Sequence, residues 1–271
     1  MPNFSLRRLL TRAIFRCGVF TSRRTDDHSL KKFFLLIKPL KVNQGLIRLG
    51  DDSDGGYLVP NDLLGIRACF SPGVSGEASF EMSLIERGIP CYLADYSVEA
   101  PPFLHQLINF EKKFLGSANE GEFITIDYWM QKQKINDGDL ILQMDIEGGE
   151  YGVLLSTPAD VLKRFRILVI EFHGLNAIFN YNGLQLIELT FRKLLEHFEI
   201  VHIHPNNCME AVGFGGYLVP PVMEFTFLRK DRVSVFELAS NFPHPLDVKN
   251  APGRPDLVLP KCWRGTGIQH K

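Results

Sequence analysis

Two short apolar runs constrain this chain more than anything else in it. One lies in LILQMDIEGGEYGVL, residues 140–154, and the other in ILVIEFHG, residues 167–174. Each run is short enough to be a strand, and neither alternates apolar with polar residues. Runs of that kind suit strands covered on both faces, as in a parallel sheet. Each ends in a burst of polar groups: Asp145, Glu147 and Glu150 after the first, Glu171 and His173 after the second. In open α/β sheets, ligands bind beyond the carboxyl ends of such strands. Acids and a histidine from two neighbouring strands are therefore expected to meet at one crevice. That points to an active site rather than a scaffold.

The rest of the pattern agrees with an α/β fold. Strands are expected at 67–71, 90–97, 140–145, 165–172, 199–205 and 222–230, with a weaker candidate at 109–116. Helices are expected at 78–88, 125–133, from Glu150 onwards, and at 183–198. Strands separated by helical stretches imply βαβ units and a doubly wound, mostly parallel sheet. No helical period separates the last two strands, so the final strand should return antiparallel beside its predecessor. Ahead of this main domain (30–240) come a short helix stopped by Pro39 and a hairpin at 47–60 with the turn Asp54-Gly55-Gly56. Residues 1–29 read as a basic accessory segment, and residues 241–271 as a Pro-rich tail strapped over the domain.

Composition excludes several classes. A net charge of -1 gives no global signal for nucleic acid. The five cysteines, Cys17, Cys69, Cys91, Cys208 and Cys262, form no C-x-x-C pair, which argues against a zinc site or disulfide scaffold and fits a reducing, cytoplasmic setting. Cys69 and Cys91 sit in apolar runs and are expected in the core. No apolar run reaches the roughly 18 residues of a membrane span. The first 24 residues, however, carry Arg7, Arg8, Arg12, Arg16, Arg23 and Arg24 and no acid. LRRLLTRAIFRCGVF could lie as an amphipathic helix on anionic lipid, giving peripheral membrane contact; a plain surface helix is the alternative.

Within the main domain, the loop FSPGVSGEASFE (70–81) follows a strand and opens a helix, and Gly73 and Gly76 allow close backbone approach to a ligand. It could cradle phosphate or the amino-acid part of a nucleoside cofactor, although it lacks a P-loop lysine and a G-x-G-x-x-G. Asp95 ends the next strand, where an acid commonly accepts hydrogen bonds from ribose. Asp145 should face the crevice, with Glu150 placed at a helix N-terminus. Glu171 and His173 share a face by the period of two, as do His202 and His204. Oxygen ligands with imidazole would suit Mg²⁺ or Mn²⁺, with Asp145, Glu171, His173 and His204 as candidate ligands. The other reading is a histidine general base held by carboxylates.

The pieces DGGYLVP (54–60), FSPGVSGEASFE (70–81), YLADYS (92–97), MDIEGGEYGVL (144–154), LVIEFHGL (168–175), VHIHPNN (201–207) and VMEFTFLR (222–229) stand in one order. In them the chain resembles the FkbM-like S-adenosylmethionine-dependent methyltransferases, and MDIEGGE is the most specific match. The resemblance implies a Rossmann-like seven-stranded fold. It implies S-adenosylmethionine as cofactor, with Ser71, Gly73, Gly76 and Glu77 near its methionine part, Asp95 near the ribose and Asp145 beside the methyl group. It implies O-methylation of a sugar, glycan or natural-product hydroxyl. His173 is then the candidate base, oriented by Asp145 and Glu171. Two positions depart from the pattern: Gln143 stands where the family often has lysine, and SPGVSGE replaces the commoner D-x-G-x-N-x-G. These departures motivate a second class, a methyltransferase-like binding protein without catalysis. A third class, a nucleotide-using glycosyltransferase, would want an acidic D-x-D motif. Asp137-Gly138-Asp139 has that spacing but falls before its strand.

Overall fold

The computed structural model describes residues 11–18, 22–74 and 76–264. The basic segment at 6–20 thus lies partly outside the described residues; within it, residues 11–16 are helical. Helix α1 (Asp27–Leu36) follows. It begins upstream of Leu30 because Asp26 caps it, accepting from the Ser29 amide at 2.9 Å. The helix therefore straddles the boundary that the sequence suggests at residue 29.

Strands β1 (Leu46–Leu49) and β2 (Tyr57–Pro60) form the expected antiparallel hairpin. The central domain then runs β3 (Ile66–Pro72), α2 (Ser79–Ile85), β4 (Cys91–Ala94) and β5 (Ile108–Glu111). The weak strand candidate at 109–116 is in fact two strands. After β5 the chain turns at Lys112 and Lys113, where the Lys113 amide donates to Glu111 O at 2.8 Å. It then gives β6 (Phe114–Leu115), which pairs in parallel with β7 (Phe123–Ile124). Next come α3 (Ile126–Lys132), β8 (Asp139–Met144), α4 (Glu150–Ser156), α5 (Ala159–Leu162) and β9 (Phe165–Phe172). Helix α6 (Tyr181–Leu195) starts two residues before Gly183, because Asn180 caps it through the Asn182 and Gly183 amides. The chain closes with β10 (Phe198–Pro205), the small hairpin β11 (Val212–Phe214) and β12 (Tyr217–Val219), and β13 (Met223–Arg229).

The seven-stranded sheet has the order β5-β4-β3-β8-β9-β13-β10. Its first five strands are mutually parallel, and β13 is antiparallel to both β9 and β10. Strand order reverses between β3 and β8, so the loops after those strands diverge and leave a crevice at their carboxyl ends. Both faces are covered, as the unbroken apolar runs require. On one side Trp129, Phe70, Phe172, Phe191 and Phe225 pack with α1, α3, α4 and α6. On the other Cys69, Cys91, Phe80, Val169 and Val201 pack beneath α2 and the β1–β2 hairpin. The described part of the Pro-rich tail, residues 241–264, straps the domain: Leu259 and Trp263 are buried in the first of these cores, and the Trp263 indole donates to Leu218 O at 3.1 Å. The five cysteines are free thiols.

Candidate active site

The loop after β8 turns on Glu147 (φ 55°) and Gly148 (φ 102°) before α4 begins. This reversal swings Glu150 back beneath the loop, where it is completely buried. Its Oε1 accepts from the Ile146 amide at 3.2 Å and the Gly148 amide at 3.1 Å, and lies 3.1 Å from His173 Nδ1. Glu150 is thus less a helix-end charge than a brace for the histidine. A carboxylate on Nδ1 keeps the proton there and leaves Nε2 as the working nitrogen. His173 itself sits just past the end of β9, and its backbone carbonyl accepts from the Tyr151 hydroxyl at 2.9 Å.

His173 Nε2 opens toward three acids: Glu147 at 3.4 Å, Asp145 at 3.8 Å and Glu171 at 4.0 Å. Burial works against the imidazolium. The Glu150 hydrogen bond and the charges of Glu150, Asp145 and Glu147 nevertheless hold the His173 pKa above the ordinary imidazole value. Burial, aided by Glu147, Glu150 and Asp54 and opposed by His173, pushes Asp145 up to about 7. Burial also raises Glu171 well above the carboxylate range, reinforced by Asp145, Glu224 and Asp54 and opposed by the Asn206 side-chain amide, which donates to it at 2.8 Å. Asp145 Oδ1 and Glu171 Oε2 are both buried without a hydrogen-bond partner. Asp145, Glu171 and His173 each offer a ligand atom within 4.8 Å of the others.

The fourth candidate ligand, His204, does not join them. It lies on the same sheet row, since His204 pairs with Glu224 and Glu224 with Glu171 across β10, β13 and β9. Glu224 occupies the intervening position, and the His204 ring turns instead to Asp247 of the strap at 3.6 Å. His202 does likewise, at 2.8 Å. Asp247 was invisible as a partner in the sequence because it stands more than forty residues away in a segment without a periodic signal.

The cofactor-side candidates divide in two. Ser71 is fully buried; its hydroxyl is hydrogen-bonded with Glu81 of α2 and donates to Gln143 Oε1 at 2.6 Å. It braces the floor of the crevice rather than facing it. Gly73 (φ +84°) is demanded by the chain itself, because a Cβ there would stand 1.6 Å from the Asp145 carbonyl oxygen. Gly76, by contrast, has open space around it, and Glu77 is exposed. Asp95 ends β4 with Oδ1 held by the Ser97 amide at 2.7 Å and hydroxyl at 2.6 Å. A cavity beside Asp145 is lined by Asp54, Tyr57, Gly73, Glu77, Glu81 and Gln143. Tyr57, Asp54 and Glu81 were not singled out in the sequence, although the DGGY motif contains the first two and the loop FSPGVSGEASFE ends on the third. A larger cleft of about 640 Å³ is lined by residues 115–123, by Gly148 and Gly149 of the loop before α4, and by Gly152 of that helix.

Residues 102–200 match the model of the methyltransferase FkbM domain. The match covers under half of the chain and agrees there with the resemblance read from the sequence. The FkbM match spans β5 to the start of β10, so it includes Asp145, Glu150, Glu171 and His173. It leaves Ser71, Gly73, Gly76, Glu77, Asp95 and His204 outside. No curated protein matches the chain. Among solved structures it is slightly similar to TrmN from Thermus thermophilus, at 11% identity and a TM-score of 0.31, over 61% of this chain and 44% of that one. A chain of the Pnkp1/Rnl/Hen1 complex is 14% identical, with a TM-score of 0.31, over 84% and 47%. SMU.1697c from Streptococcus mutans, in complex with SAH, is 10% identical, with a TM-score of 0.27, over 74% and 94%. The chain spans under half the length of the first two.

Proposed function

We propose that this chain is an S-adenosylmethionine-dependent O-methyltransferase acting on a hydroxyl of a sugar, glycan or natural product. One observation carries the reading: His173, braced at Nδ1 by buried Glu150, presents Nε2 to the crevice at the carboxyl edge of the parallel strands. A methyl acceptor hydroxyl must lose its proton as the bond to carbon forms, and a braced imidazole is suited to take it. The FkbM match over this stretch supports the same chemistry.

The residues present fit the cofactor. Its methionine part carries two positive charges, on the ammonium and the sulfonium, and the small cavity supplies Asp54, Glu77 and Asp145 against them. Asp95, oriented by Ser97, would hold the ribose hydroxyls. The cleft lined by Gly148, Gly149 and Gly152 would take the flat base. When bound, the cofactor supplies an activated methyl group for in-line displacement. Asp145 keeps the imidazolium of His173 charge-balanced once the proton has moved.

The cluster of Asp145, Glu171 and His173 favours a variant of this reading in which the three hold Mg²⁺ or Mn²⁺. Its oxygen-rich donor set and its two orphaned carboxylate oxygens fit a hard cation. His173 would then be a ligand rather than the base.

Calorimetric titration with S-adenosylmethionine, with and without each metal, tests both. Micromolar binding supports the assignment, and turnover that needs no metal keeps His173 as the base. Absence of binding under every condition sinks the assignment and leaves the non-catalytic binding protein in first place.

A further inference from the structure

The loop that joins β10 to β13 starts and ends at the candidate site. Asn206 at its beginning donates to Glu171, and Pro221 O near its end accepts from the Leu175 amide, two residues past His173. Between them the chain projects the β11–β12 hairpin. Its turn, Gly215-Gly216, has φ of +58° and +85°, the pattern of a tight two-residue hairpin turn. An isolated two-stranded hairpin is marginal in water. This one is held against the body beside its turn: Tyr217 stacks on Phe34 at 5.2 Å and donates to Asp27 at 2.8 Å, and Phe214 packs on Phe179 at 5.5 Å.

What it holds out is apolar on both of its faces. Phe214 is 40% exposed, Leu218 42%, and Met209 in the approach to the hairpin 52%. Val212 is also exposed. Beside it sit cations. Arg24 lies over the Phe214 ring at 5.1 Å, Arg23 over the Tyr181 ring at 5.0 Å, and both are exposed. Just upstream, Arg12 and Arg16 stand four residues apart on the helical stretch 11–16, with Phe15 exposed between them. Asp26 is engaged in capping α1 and Asp27 with Lys31 and Tyr217, while Glu210, between Met209 and the hairpin, is exposed and sets one negative charge against these four arginines.

We infer that the β11–β12 hairpin and the adjoining arginines dock this protein on an anionic lipid surface. The charge pattern selects that occupant. Arginines beside exposed apolar side chains satisfy both layers of a bilayer interface: Phe214, Leu218 and Met209 meet the acyl boundary while the guanidinium groups meet lipid phosphates. Because the hairpin grows from the loop that closes on Glu171, docking brings the crevice to the membrane. That consequence, an acceptor presented from a lipid surface, rests on the methyltransferase reading; the docking itself does not.

The test is co-sedimentation of the full chain with vesicles of phosphatidylcholine alone and with about one third phosphatidylglycerol. Binding should require the anionic lipid and should collapse in about 1 M salt, where the Debye length falls to about 3 Å. Leu218→Asp, and separately Met209→Asp, should each weaken binding about tenfold or more. Arg23→Glu with Arg24→Glu should weaken it at least about fivefold per charge removed. Thermal unfolding and S-adenosylmethionine titration of the same variants show that they are folded, and report on the methyltransferase reading independently. No binding to anionic vesicles overturns the inference, as does equal binding to neutral ones or full binding by the hairpin variants. A dimer in light scattering that Leu218→Asp dissolves, without vesicle binding, would assign the surface to a second copy of the chain instead.

Discussion

At the amino-terminal edge of the central sheet, Arg166 is buried at the start of β9. It donates to Asp139 at 2.8 Å and to Asp62 at 3.2 Å, as well as to the Asp62 and Leu64 carbonyls. Arg232 closes on Asp62 from outside, and Arg229 on Asp139 at 2.7 Å. At the carboxyl edge, Glu171 and Glu224 are buried and Asp145 is half-buried, with no arginine or lysine among their ion-pair partners in the described residues. One edge pairs every charge it buries. The other collects acids, leaves oxygen atoms without hydrogen-bond partners, and answers them with histidines and the neutral amides of Asn206 and Asn250. Buried charge that is paired holds a fold together; buried charge left unpaired is retained for something that arrives later.

The comparison can be broken by mutation at either edge. The largest expected effect is on catalysis. His173→Ala should cut kcat by about 10²- to 10⁴-fold while leaving the dissociation constant for S-adenosylmethionine within about twofold; unchanged turnover removes His173 from the mechanism. Arg166→Ala should cost about 3–5 kcal/mol in urea unfolding, because it strands Asp62 and Asp139. Gly73→Ala should cost about 2 kcal/mol or more, since the new methyl meets the Asp145 carbonyl and the positive φ is strained; it should also weaken cofactor binding.

Two pH effects sharpen the same contrast. Folding raises the pKa of Asp145 to about 7, so its favourable contribution is complete below about pH 4 and is lost as the pH rises through about 7. Asp145→Asn should therefore gain stability on the wild type across that window. Asp139 is held below the usual carboxylate range, burial being outweighed by Arg229 and Arg166, so its contribution is lost as the pH falls. Asp139→Asn should lose stability at neutral pH and converge with the wild type in acid. The smallest effect is expected of Glu150→Gln. Removing its charge should lower the pKa of His173 and move the acid limb of kcat/KM to lower pH.

Much of the carboxyl edge was legible because strands report locally. The unbroken apolar runs placed β8 and β9 in a covered parallel sheet, and their ends brought Asp145, Glu171 and His173 together. Period-two reasoning put His202 and His204 on one face correctly, yet it could not show what faced them. Asp247 and Asn250 arrive from the strap, and the partner of a strand residue across a long loop leaves no periodic trace. Asn250 donates to Glu224 at 2.6 Å in this way, and neither residue stood out in the sequence. Glu81 looked like a polar residue of an amphipathic helix; it is buried because Ser71 and Gln143 meet it from the sheet. The Arg166 network was missed for a related reason. A single arginine in an apolar strand reads as an interruption until Asp62, Asp139, Arg229 and Arg232 are gathered around it from three separate segments.

Strand β13 lies between β9 and β10, although it is made after both. A ribosome building this chain at about 5–20 residues per second finishes β10 while its slot in the sheet is still missing a neighbour. Until Arg229 has emerged, β9 has an open edge and β10 has nothing to pair with. Only the strap, translated later still, brings Asp247 to the histidines of β10 and Trp263 to the core. The nascent chain thus carries an exposed, apolar strand edge through the last part of its synthesis, an interval in which a chaperone would find it and a pause in translation would lengthen the risk of aggregation.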